Sequence, residues 1–143
     1  MTEVSFHFNM PDKLAHACRV VRKALNTGAR VTVTGDEEVL RQFDVRLWTF
    51  SDVDFIPHCY VPESTPQVVA ASPVLLAPAL DPLPHQQVLL NLGGTIPRGF
   101  ERFEKLVELV SLEEDDRTRG RLRWKHYADR GYAIERHDLA SKE

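Results

Sequence analysis

The sequence predicts an α/β fold in which helices cover a mostly parallel sheet. Short β-branched or period-two segments alternate with apolar residues at helical spacing from the first residues onward. Strand-helix-strand order of that kind favours parallel pairing through right-handed crossovers. The 143 residues, 43% hydrophobic and 27% charged, suffice to bury a core without disulfide staples.

Residues 4–8, VSFHF, alternate apolar and polar and predict the first strand. Asp12 is an N-cap residue for a helix carrying Leu14, Ala17, Cys18, Val21 and Leu25, which stops at Asn26-Thr27-Gly28. Residues 30–34, RVTVT, predict a second strand. Gly35-Asp36 then breaks the chain before Val39, Leu40, Phe43, Leu47 and Trp48 at helical intervals.

Prolines at 62, 66, 73, 78, 82 and 84 exclude long helices from the middle of the chain. Residues 67–71 and 74–77 are both short and apolar enough to be strands, and the second is preferred as the sheet member. Residues 87–92, QVLLNL, predict a buried strand bounded by Gly93-Gly94, and Phe100 and Phe103 a short helical turn. Residues 105–110 predict another strand. Four carboxylates at 113–116 precede a basic helix, where negative charge suits the N-terminal end. Gly131 fits the C′ position, and residues 132–136 predict a final strand. With no repeat and no linker, residues 1–143 read as one domain, disordered only over the last few residues, 140–143.

Two cysteines, Cys18 and Cys59, are too few for a disulfide framework and suit a reduced compartment. The N-terminus lacks a signal-peptide pattern, and no apolar run reaches the roughly 18 residues that span a bilayer, so a cytoplasmic protein is expected. A net charge of −3 argues against broad nonspecific nucleic-acid binding.

Against that charge, residues 117–132, RTRGRLRWKHYADRGY, concentrate six arginines or lysines and three aromatics. At about 100° of rotation per residue, Arg117, Arg121, Trp124 and Lys125 fall within an arc of roughly 100°. Cations around an indole can take the carboxylates or phosphates of a ligand that also presents an apolar group. The plainer reading is a solvated helix surface with Trp124 and Tyr127 in the core. Leu47-Trp48 and Phe55-Ile56-Pro57-His58 form a second group. It is either a hydrophobic plug under a loop or a partner-binding patch, and His58 is read as a hydrogen-bonding loop residue rather than a base.

No catalytic pattern emerges. Gly93-Gly94 follows a strand, but neither phosphate-binding glycine signature is present. His16, Cys18, His58 and Cys59 lack metal-ligand spacing. No cofactor and no metal are expected.

Three stretches, RLWTFSDVDFIPHCY at 46–60, LPHQQVLLNLGGTIPRGFERFEKLVELV at 83–110 and EEDDRTRGRLRWKHYADRGYAIERHDL at 113–139, together resemble the chi subunit of bacterial DNA polymerase III holoenzyme. The resemblance implies a three-layer α/β/α sandwich, Rossmann-like or P-loop-like without a working nucleotide site, in an accessory protein rather than an enzyme. It also implies two partners. One is the acidic C-terminal tail of single-stranded DNA-binding protein, which ends in phenylalanine and a free carboxylate. Its site would fall on Val110, Arg117, Arg121, Trp124 and Lys125. The other is the psi subunit of the clamp loader, whose site would fall on Trp48 and Phe55, with Pro57 and His58 shaping the loop. The competing expectation is direct binding of single-stranded nucleic acid by the helix at 117–130.

Overall fold

A computed structural model describes residues 1–50 and 55–141. Residues 51–54 of the 46–60 motif and the last two of the expected disordered tail lie outside the described residues.

The strands are β1 (Glu3–Met10), β2 (Val31–Thr34), β3 (His58–Tyr60), β4 (Val74–Leu76), β5 (Val88–Asn91), β6 (Lys105–Ser111) and β7 (Ile134–Asp138). They form a seven-stranded sheet in the order β3-β4-β2-β5-β6-β1-β7, with every pairing parallel. The helices are α1 (Lys13–Asn26), α2 (Glu37–Thr49), α3 (Pro66–Ala71) and α4 (Glu114–Asp129).

Connections through α1 and α2 run one way across the sheet and the later ones run back, so right-handed crossovers place the two sets on opposite faces. The cores agree. Ala17, Val21, Leu40, Phe43 and Leu47 of α1 and α2 pack with Val33, Leu90, Val107 and Leu109. Tyr127 of α4 packs with Val4, Phe6, Leu89, Leu106 and Val110 on the other face. The result is the expected three-layer sandwich.

Local chemistry starts both N-terminal helices. Asp12 caps α1 by accepting from the Ala15 N–H at 3.1 Å, and Asp36 caps α2 by accepting from the Val39 N–H at 2.9 Å. α4 begins earlier than the sequence predicted. Glu113 is the cap residue, and Glu114, Asp115 and Asp116 occupy the first turn rather than preceding the helix, where they meet the positive end of its dipole.

Several expectations need correction. Of the two short apolar stretches, the preferred one at 74–77 supplies strand β4, whereas residues 67–71 are helical: Pro66 stands in the first turn of α3 and the Thr65 hydroxyl accepts from the Val68 N–H at 3.3 Å. His58 lies in the short strand β3 rather than in a loop. The last strand is shifted to Ile134–Asp138 because residues 131–133 carry the chain from α4 to the sheet, with Gly131 at φ +79°. Residues 139–141 make a 3-10 turn.

A candidate groove for an anionic ligand

The β1-β6 pair is one of the places where neighbouring strands lead to opposite faces, β1 into α1 on one and β6 into α4 on the other. Open parallel sheets bind ligands at such points, beyond the carboxyl ends of the strands. A groove of about 450 Å³ lies there on the α4 side, within the size range of small-ligand clefts.

Its floor comes from the sheet. In register across the strands, Val110 pairs with Phe8, and Phe6 pairs with Arg136. Period-two alternation turns Phe6, Phe8 and Val110 toward α4. Asn9 interrupts β1 with a bulge at φ +67°, a region asparagine tolerates, and donates to the Asp138 carboxylate at 2.8 Å.

Its wall is α4. A Cβ on Gly120 would lie 2.7 Å from Val110 Cγ2, so glycine lets the helix settle directly on β6. One helical turn further on, Trp124 packs against Phe6 with ring centres 5.1 Å apart. Arg117 and Arg121 line the same wall, and Arg136 of β7 closes the far side, its guanidinium 5.6 Å from the ring centres of both Phe8 and Trp124. Three arginines and no carboxylate therefore line an apolar floor. No described acidic side chain forms an ion pair with Arg117 or Arg136, while Arg121 meets exposed Glu114 at 3.5 Å and donates to the Thr118 hydroxyl at 3.3 Å.

Four of the five residues expected on this face, Val110, Arg117, Arg121 and Trp124, meet in the groove. Lys125 does not line it. Rotated about 80° from Arg117 on the outward side of the helix, Lys125 pairs with Asp129 at 2.9 Å and is 73% exposed. Phe8, Asn9 and Arg136 were missed, because strand residues far apart in sequence reach the groove only through sheet topology.

Asp116 closes the turn into α4. Its carboxylate accepts from the Ser111 N–H at 2.7 Å and faces Lys13 at 3.2 Å. Burial pushes the group upward, but the Ser111 bond and Lys13 outweigh it and leave it below the ordinary range.

Behind the groove the basic run changes character. Arg123 is buried and donates from Nε to Glu108 Oε1 at 3.0 Å and from Nη1 to the Gly94 carbonyl at 3.1 Å. The Tyr127 hydroxyl donates to Glu108 Oε2 at 2.6 Å, and Asn91 donates to Oε1 at 3.0 Å. Complete burial pushes Glu108 upward against the pull of Arg123, Tyr127 and Asn91; burial and Glu108 push Tyr127 upward in turn. This cation belongs to the core, not to a surface track.

The second expected site lies on α2 and the approach to β3. Trp48 and Phe55 are 57% and 65% exposed, with ring centres 5.2 Å apart. His58 supports Trp48 from beneath. Its ring lies 4.9 Å from Trp48 and is held by the Ile56 carbonyl at 2.6 Å and the Asp44 carboxylate at 2.8 Å. Val45, one turn back on α2, is exposed too and widens the apolar surface. Among the described residues no His, Cys, Asp and Glu group could hold a metal ion, and burial pushes the Cys18 thiol up to about 11.

A family model described as DNA polymerase III chi subunit, HolC, matches residues 1–135. The chain belongs to that family. It is 32% identical over 144 residues to DNA polymerase III subunit chi of Pseudomonas aeruginosa, covering 97% of this chain and 98% of that protein. Both the α4 groove and the Trp48-Phe55 patch thus belong to a chi-family chain. No described helix is long and apolar enough to cross a membrane.

Proposed function

We propose that this chi-family chain is a non-catalytic adaptor of the DNA polymerase III holoenzyme, with two separate docking surfaces. The α4 groove takes the acidic C-terminal tail of single-stranded DNA-binding protein through Val110, Arg117, Arg121 and Trp124. The patch of Trp48 and Phe55, shaped by Pro57 and His58, takes the psi subunit.

The observation that carries the first assignment is the lining of the groove, three arginines around an apolar floor with no acid among them. A peptide ending in phenylalanine and a free carboxylate, preceded by aspartates, matches both parts. The ring covers Val110 and Phe8, and the anionic groups meet guanidinium forks. Affinity in the micromolar range, about −8 kcal/mol, is expected from exposed charges that order a flexible tail. Lys125, outside the groove and paired with Asp129, adds long-range attraction only.

Direct binding of single-stranded nucleic acid through α4 fits less well. Arg123 is buried, Lys125 is paired, and the first turn carries three carboxylates, so α4 offers no continuous cationic track for a phosphate backbone. Purified single-stranded DNA-binding protein should co-elute with this chain, and deletion of its last residues should abolish the complex. Co-elution that survives the deletion would overturn the assignment.

A further inference from the structure

Arg136 has no place in the basic helix, yet it completes the groove. It lies on β7 in register with Phe6 of β1, and its guanidinium stands over both Phe8 and Trp124 at 5.6 Å. Side chains on one row of a parallel sheet share a face, so Arg136 points to the α4 side as Phe6 does. Arg117 sits at the other end of the floor. Gly120 is level with Val110 and Trp124 with Phe6, which puts Arg117 nearly one helical turn beyond Val110 toward the carboxyl ends of the strands. The apolar floor is therefore bracketed along its length by cations from two different elements.

We propose that Arg136 is a third ligand-contacting cation, and that with Arg117 and Arg121 it makes the groove select a peptide carrying negative charge on both sides of an aromatic residue. This rests on the reading of the groove as an acidic-tail site. An aromatic residue at a chain end meets the requirement, with its own α-carboxylate on one side and an acidic side chain on the other. A neutral hydrophobic peptide does not, and neither does one acidic on a single side. Resting over two rings, the guanidinium is pre-placed, so it gives up little freedom on binding.

The test is fluorescence anisotropy with a labelled acidic peptide ending in Asp-Phe, beside one version amidated at its C-terminus and one with its aspartates changed to asparagine. Arg136→Ala should weaken binding of the parent peptide about tenfold or more, as loss of a charged hydrogen-bonding partner does, with an unchanged melting temperature because the side chain is exposed. That loss should shrink for one of the two neutralised peptides, identifying the group Arg136 meets, and Arg136→Lys should recover part of it. Wild-type affinity in Arg136→Ala, or an equal loss for all three peptides, would overturn the proposal. Arg121→Ala separates it from the reading beneath it: if Arg121→Ala abolishes binding and Arg136→Ala does not alter it, only the role of Arg136 fails. If the wild-type protein binds none of the peptides, the acidic-tail reading itself fails.

Discussion

Gly120 lies against Val110 so closely that a Cβ at position 120 would stand 2.7 Å from Val110 Cγ2 and 3.0 Å from Cγ1. The contact sets the distance between α4 and β6, and with it the width of the groove. Gly120→Ala should force the helix away from the strand and cost about 1–3 kcal/mol in stability despite the better helix propensity of alanine. It should also weaken acidic-peptide binding. Denaturant unfolding checks the first effect, and Val110→Ala in the same chain should restore part of the lost stability by making room for the new methyl.

The buried Arg123-Glu108 pair supports α4 from inside. Removing one partner strands a charge in the core, so Arg123→Ala should destabilise the fold by about 3–5 kcal/mol. Replacing the pair together, as Arg123→Met with Glu108→Leu, should cost much less. Urea midpoints of the single and double variants test this, and equal losses in both would contradict the charge-stranding account.

Acid should loosen the β6-α4 turn. The folded-state pKa of Asp116 is lowered, so its contribution is fully present above its unfolded value near 3.8 and is lost as pH falls through the lower folded value. Asp116→Asn should be about 1 kcal/mol less stable than wild type at neutral pH. The gap should close as the pH drops below about 4, measured by thermal melts across the acid range.

The Trp48-Phe55 patch should be energetically independent of the groove. Phe55→Ala removes an exposed ring, so the fold should hold while binding to psi falls by at least tenfold, as at an aromatic anchor in a protein interface. Tail-peptide affinity should be unchanged in the same variant. Calorimetric titration with each partner checks both halves.

The N-terminal β-α pairs, β5, β6 and the basic helix were legible because each has a clear period, a cap residue or a glycine stop. The centre was not. Residues 67–71, QVVAA, contain β-branched valines that suggest a strand, and the helix there is decided by Thr65 and Pro66 at its start. β3 has only three residues, too few for alternation to show. Within the basic run, helical rotation already left Arg123 off the face that carries Arg117 and Arg121, but did not show that it turns inward to a buried carboxylate, Glu108. Helical geometry places Arg123 on the opposite side of α4 from Arg121, but only the buried carboxylate on β6 explains why a cation is tolerated there. Arg136 was invisible as a site residue, because nothing local in β7 shows that its row continues into Phe6 and the groove.

The central claim is that the α4 groove grips an acidic, carboxylate-ended peptide. Its most direct test is the anisotropy of a labelled tail peptide titrated with wild type, Arg121→Ala and Trp124→Ala at low and moderate salt. The expected result is micromolar binding by wild type that weakens with salt, with binding lost in both variants while their circular dichroism stays native. Titration curves for the two variants that superimpose on the wild-type curve would contradict it.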